Sequence, residues 1–344
     1  MIKKYSWFIF LISFSLNAQI GGKHSFALLD LPFNARSAAL GTDFITAKDQ
    51  DLNLGVSNPS LYNSGMNRNI AVNQALLSAG INYGMLAYAH NIDSIYNLSG
   101  NIRYINYGQI IQRDEAGNEI GKMNPGEFII GLGGSKQLDK RISVGVNTSF
   151  LYSELAGYRS LGFTFDFGGA YFNEEKRLLV TALIKNVGAQ LTKYTSDQKE
   201  WLPVEMQMGI SHKVAHAPFR FSLLAHHLNI WDLTYFDTSK STITNSLTGE
   251  VQTIQPPSFL EILGRHFTYQ CELLMTDNFH IRFAYDYHKR QELKLDSRPG
   301  ASGLSFGLGF MFKRINIDYG MSVYSSAGFN NMLSLRANID NFKR

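Results

Sequence analysis

The stretch GLSFGLGFMFKRINIDYGMSVY, Gly303 to Tyr324, decides the fold. Leu304, Phe306, Leu308, Phe310 and Phe312 occupy every second position, and after Lys313-Arg314 the rhythm resumes at Ile315, Ile317, Tyr319, Met321 and Val323. The positions between hold mainly Gly, Ser, Asn or Asp. A period of two is the signature of a strand, whose successive side chains point to opposite faces. Two such runs around a two-residue polar link read as an antiparallel hairpin.

The same alternation recurs upstream. Phe128, Ile130 and Leu132 alternate with Gly131 and Gly133; Ile142, Val144, Val146 and Phe150 with Ser143, Gly145, Asn147 and Ser149. Phe163, Phe165 and Phe167, then Val204, Met206, Met208 and Ile210, then Ile281, Phe283, Tyr285 and Tyr287, then Leu333, Leu335, Ala337 and Ile339 follow the rule. Ile81, Tyr83, Met85 and Ala87 form one more apolar face. About 14 strands result, spread over residues 69–339. Short links (138–140, 173–176, 213–218, 276–278, 313–314) alternate with longer polar ones (108–125, 153–159, 188–203, 229–265, 290–301), the pattern of an up-and-down meander with one trimmed rim and both termini on that side.

The non-apolar face is rich in Gly, Ser and Asn, with isolated charges at Glu205, Glu272, Arg282, Asp286, Asp318 and Arg336. A soluble sheet shows water a face dense in Lys and Glu. A closed ring of about 14 strands is too wide for its own side chains to fill. The reading is therefore all-β, a transmembrane antiparallel β-barrel with its apolar side toward lipid, against the alternative of a soluble secreted β-protein. Phe172, Tyr287, Phe312 and Tyr324 are expected as interfacial aromatics, and Cys271 as a lipid-facing thiol.

Composition agrees: 44% hydrophobic, 17% charged and 13% aromatic residues in 344 exclude a disordered chain, and a net charge of +4 is too small to argue for nucleic acid. A lone cysteine excludes an internal disulfide. Residues 1–18, with Lys3-Lys4, an apolar run from Trp7 to Leu16 and Ala18, read as a secretory signal peptide rather than an anchor, the run being shorter than a spanning helix.

Residues 19–67 do not alternate. They carry Phe26, Leu28, Leu29, Leu31, Phe33 and Leu40, which water would not suit, so the expectation is an N-terminal plug folded into the lumen, against a loose periplasmic tail; residues 68–344 form the barrel. Within this segment GGKHSFALLDLPFNARSAALG (Gly21 to Gly41), then Asn58-Pro59-Ser60-Leu61, followed by a barrel, resembles the PorQ family of outer-membrane barrels in the type IX secretion system of Bacteroidetes, a group that goes with PorV and is similar to FadL-like barrels. The resemblance implies 14 strands and an N-terminal hatch bearing an Asn-Pro-Ala motif; Asn58 and Pro59 match it, and Ser60 replaces the alanine. It also implies an outer-membrane location and partners among type IX components, PorV, PorU and PorZ.

Arg36 is the candidate hatch charge, expected either to pair with Asp166, Asp286 or Asp318 or to be solvated by lumen water. Trp231, Tyr235 and Phe236 in the longest loop are the candidate docking surface, or else interfacial anchors. Three tempting motifs fail on their own terms. Ser305 in Gly303-Leu304-Ser305-Phe306-Gly307 sits in unbroken alternation where a nucleophile elbow needs a strand, turn and helix. Asp49, Asp51 and Asn53 lack the Gly and Glu of a calcium loop. His212 and His216 straddle a turn, and His226-His227 alternate faces, so neither pair is expected to converge on a metal. No catalytic residue and no cofactor are expected. Two functions stand: a docking subunit of the secretion complex, or a FadL-like transporter of hydrophobic small molecules.

Overall fold

A computed structural model of the chain describes residues 25–77, 80–93, 95–155, 157–194, 200–234, 242–244, 251–253, 256–294, 300–325 and 328–342. The expected signal peptide, along with Tyr235 and Phe236, lies outside the described residues.

Fourteen antiparallel strands close into a single barrel. They are β1 Asn69–Leu76, β2 Asn82–Asn91, β3 Tyr96–Asn106, β4 Gly126–Gln137 and β5 Ile142–Leu155. Then come β6 Tyr158–Asn173, β7 Leu178–Thr192, β8 Glu205–Lys213, β9 Phe219–Ala225 and β10 Phe267–Thr276. The last four are β11 Phe279–Asp286, β12 Leu304–Phe312, β13 Ile315–Ser325 and β14 Gly328–Asn338. Each pairs with its neighbours in sequence, and β14 returns to β1 with Asn69 opposite Asn338 and Leu76 opposite Asn331. The antiparallel barrel of about 14 strands expected from the alternation is the fold observed. Chain entry and exit meet on the short-link rim, where Arg68 pairs with Asp340 at 2.8 Å.

The outward positions are apolar and exposed, among them Phe128, Ile130, Leu132, Phe150, Met208, Phe283, Phe310 and Leu333. A continuous apolar belt of that extent has no place in water and is covered by hydrocarbon, the arrangement of outer-membrane barrels. No described helix is long and apolar enough to cross a membrane; the strands do the crossing. Cys271 lies on this outer face, opposite Phe221 on β9 and Phe283 on β11.

Four local expectations change. On β2 the assigned face is inverted: Tyr83, Met85, Ala87 and Ala89 are buried inside, while Leu86 and Tyr88 are exposed. The cause is an apolar neighbour within the barrel, since Phe33 meets the Tyr83 ring edge-on at 5.5 Å between centroids. Phe172 also points inward, beneath the Lys48 ammonium at 5.1 Å, and is no interfacial aromatic. Tyr287 begins a helix rather than ending a strand: Asp286 accepts from the Lys289 amide and caps Tyr287–Leu293. Finally, the link expected at 153–159 shrinks to two residues because β5 and β6 continue pairing to Leu155 and Tyr158.

Candidate functional site

The ring of strands is not hollow. Residues 25–67 run through it as short turns and helices, α1 (Ala35–Ala39) and α2 (Leu52–Ser57) among them. Four of them are started by a side-chain cap: Asn34 accepts from Ser37 N–H, Asp51 from Asn53 N–H, Asn58 from Ser60 N–H and Asn63 from Gly65 N–H. Such self-capped turns satisfy backbone polar groups without a sheet. Their apolar residues, including Phe26, Leu28, Leu40, Phe44, Leu52 and Leu61, are almost wholly buried against inward-facing Tyr83, Met85, Ile105, Ile129 and Leu151.

The wall yields to this segment at glycines. A Cβ at Gly320 would lie 2.0 Å from the Ala35 carbonyl, and one at Gly145 would lie 2.3 Å from that of Pro59. The inward glycines noted in the sequence thus let a second layer of backbone press against the strands. Asn58-Pro59-Ser60 occupies such a place: Asn58 is fully buried, its Oδ1 also takes the Ser60 hydroxyl at 2.7 Å, and Ser143 on β5 donates to the Ser60 carbonyl at 2.7 Å.

Opposite this apolar side lies a charged lattice. Arg36 forks onto Glu272 of β10 through Nε and Nη2, both at 2.9 Å, and reaches Asp49 at 2.8 Å and Asp51 at 3.3 Å. Its guanidinium also stands 4.8 Å over the Phe44 ring. Glu272 accepts in addition from Arg220 (2.6 Å) and Arg282 (3.1 Å). Arg282 continues to Asp318 (2.5 Å), Asp318 to Arg336 (2.7 Å), and Arg336 to Asp51 (3.2 Å). Four guanidiniums therefore meet four carboxylates, joining the segment to β9, β10, β11, β13 and β14.

Arg36 is thus paired rather than solvated, and its partners are corrected. Asp318 is one residue removed in the lattice, Asp286 caps a helix, and Asp166 accepts from the Asn186 amide at 2.7 Å. Alternation had placed all of them inside but gives no position around the ring, which is what selects Glu272. Asp49 and Asp51, set aside as a calcium loop, serve here as counter-ions. A second bridge ties Asp43 of the segment to Lys185 on β7 at 2.7 Å, and Lys185 to Glu205 on β8 at 2.9 Å.

At the short-link rim the lattice opens into a cavity of ≈ 990 Å³ lined by Arg36, Lys48, Asp49, Arg282, Arg314 and Arg336 among others. An apolar hollow of ≈ 490 Å³, bordered by Ile210, Phe221, Tyr269, Cys271 and Phe283, lies on the outer face of the wall.

At the long-link rim, Trp231 packs on Phe259 (5.7 Å) and His266 (5.8 Å), pinned where the loop returns to β10. With Phe259 and Leu260 of α3 (Phe259–Gly264) it forms an exposed apolar knob. The histidine expectation also fails here. The strand ends at Ala225, and His227 adopts φ 53, a left-handed turn that swings both rings together, so that His226 Nδ1 and His227 Nδ1 stand 2.7 Å apart.

No family model matches the chain, and no curated protein does. Solved structures are similar in fold. The Pseudomonas putida toluene transporter TodX is 11% identical, with a TM-score of 0.54 over 89% of this chain and 96% of that one. The Ralstonia pickettii toluene transporter TbuX is 11% identical, with a TM-score of 0.51 over 90% and 99%. A TodX monoaromatic hydrocarbon channel with its S2 region deleted gives 12% and 0.55 over 91% and 100%. At that identity the likeness is one of fold.

Proposed function

We propose that this chain is a non-conducting outer-membrane barrel that docks partner proteins of a type IX kind of secretion machine. The observation that carries the first half is the occupied interior. A segment joined to the wall on opposite sides of the ring, by the Ser60–Ser143 bond and by the Arg36–Glu272 fork, leaves charged groups where a hydrophobic solute would have to pass. Moving such a solute past buried, paired ions means stripping them of their partners, at several kcal/mol each. Around the ring each described strand pairs with both neighbours, with register shifts on β6 between Leu161 and Gly162 and between Phe165 and Phe167. The type IX attribution rests on the sequence resemblance at Gly21 to Gly41 and Asn58 to Leu61, and the knob at Trp231, Phe259 and Leu260 is the surface assigned to docking, with Tyr235 and Phe236 from the same loop.

Passage of hydrophobic small molecules is the second reading. The fold shared with the toluene transporters favours it, and fold likeness taken alone would rank it first.

One experiment separates them. Detergent extracts of outer membranes are probed for proteins that co-purify with the intact chain and with a variant lacking residues 231–257, and cells bearing either form are assayed for toluene uptake. Docking predicts that surface proteins are lost with the loop while uptake equals that of cells without the barrel. Barrel-dependent, saturable uptake with no change in co-purification would establish the transport reading instead.

A further inference from the structure

Glu205, His226 and His227 converge at the long-link rim, each offering one donor atom, and the three atoms lie within 4.8 Å of one another. They come from two neighbouring links: Glu205 opens β8, and the histidines follow β9. From this geometry we propose that the three side chains form a site for a divalent transition metal of the zinc type at the long-link rim of the barrel.

The donor set decides the class of ion. Two imidazole nitrogens and one carboxylate oxygen suit zinc and its neighbours, whereas calcium and magnesium ask for oxygen alone. Distances fit with little movement. Metal–nitrogen bonds of about 2.0–2.1 Å in a tetrahedron separate two donors by about 3.3 Å. His227 Nδ1 and Glu205 Oε1 already stand 3.3 Å apart, and the 2.7 Å between the two imidazoles need widen only by about 0.6 Å.

Two other ring nitrogens beside the donor set lack partners. His226 is 6% exposed, yet its Nε2 has no hydrogen-bond partner, and neither has Nδ1 of His288, whose ring lies 6.1 Å from both other imidazoles. Buried polar atoms without partners are rare and ask for a reason.

The surrounding charge permits a cation. The nearby ammonium of Lys185 is taken up by Asp43 at 2.7 Å and by the other oxygen of Glu205 at 2.9 Å, leaving Oε1 to the metal with Gln207 donating to it at 2.9 Å. Asp286 adds negative charge toward His226. His227, with 40% of its side chain exposed, provides the way in and leaves a fourth position open to water or to a partner's side chain. A bound ion would clamp the start of β8 to the end of β9, where His226 N–H already donates to the His266 carbonyl at 2.9 Å.

The test uses untagged full-length barrel in detergent, titrated with zinc chloride alone and followed by calorimetry, with cobalt(II) as a coloured substitute. One ion per barrel is expected, together with the absorption of a low-symmetry cobalt site. The double change His226→Ala with His227→Ala should abolish both, while His212→Ala with His216→Ala leaves them unchanged. Retained heat-modifiable migration on gels certifies that each variant is folded. Should the first variant not fold, diethyl pyrocarbonate footprinting of the unsubstituted chain replaces it: zinc must protect His227 and not His212. No stoichiometric zinc at micromolar concentrations, binding that survives the His226/His227 change, or absence of protection would overturn the assignment.

Discussion

Glu272→Ala is expected to destabilise the barrel by about 3–5 kcal/mol, the cost of leaving buried charge without its counter-ion. Glu272 is 1% exposed and accepts from Arg36, Arg220 and Arg282 together. Its removal leaves Arg282 with Asp318, Arg36 with Asp49 and Asp51, and Arg220 with only the 3.8 Å contact to Asp49. The measurement is reversible urea unfolding in a lipid or detergent host, read by tryptophan fluorescence. Removing Arg36 as well should recover part of the loss, since the lattice then has one fewer cation to neutralise. A loss below about 1 kcal/mol would mean that water, and not Glu272, compensates these guanidiniums.

Deletion of residues 25–67 is expected to turn a closed barrel into an open one. The pairs that close the ring all lie within residues 69–338, so the wall should survive; what goes is the segment that fills it. A ring of this size without its contents is a water-filled pore. In planar bilayers the intact chain should give no ionic conductance and the deleted chain large, stable steps. Equal traces from both would show that something other than this segment closes the lumen.

Much of this was legible in the sequence, for a definite reason. Lipid outside and polar groups inside impose strict alternation, and alternation is a one-dimensional signal. It located all fourteen strands and both rims. The charged lattice was half legible. Glu272 and Arg282 are equidistant from the link at Asp277 and face each other in the β10–β11 pair, as do Arg220 and Glu272 across β9 and β10. The first of these meetings could be counted from its short turn; the second could not, because the longest link separates β9 from β10. The contact with Arg36 could not, because α1 is not in register with anything. For the same reason β2 was read inside out: Tyr83 and Met85 look like lipid-facing residues until the apolar side of a non-alternating segment is placed against them. His226 and His227 were missed because a single left-handed residue breaks the rule that adjacent side chains diverge, and nothing in a His-His pair announces φ 53.

The account rests on residues 25–67 being fixed inside the ring. Hydrogen exchange of the full chain in lipid nanodiscs, followed by mass spectrometry, tests this most directly. Amides of α1, α2 and the Pro59–Leu61 turn should exchange on the slow timescale of the strand amides of Leu304–Phe312. Exchange of those amides as fast as in a free peptide would contradict it.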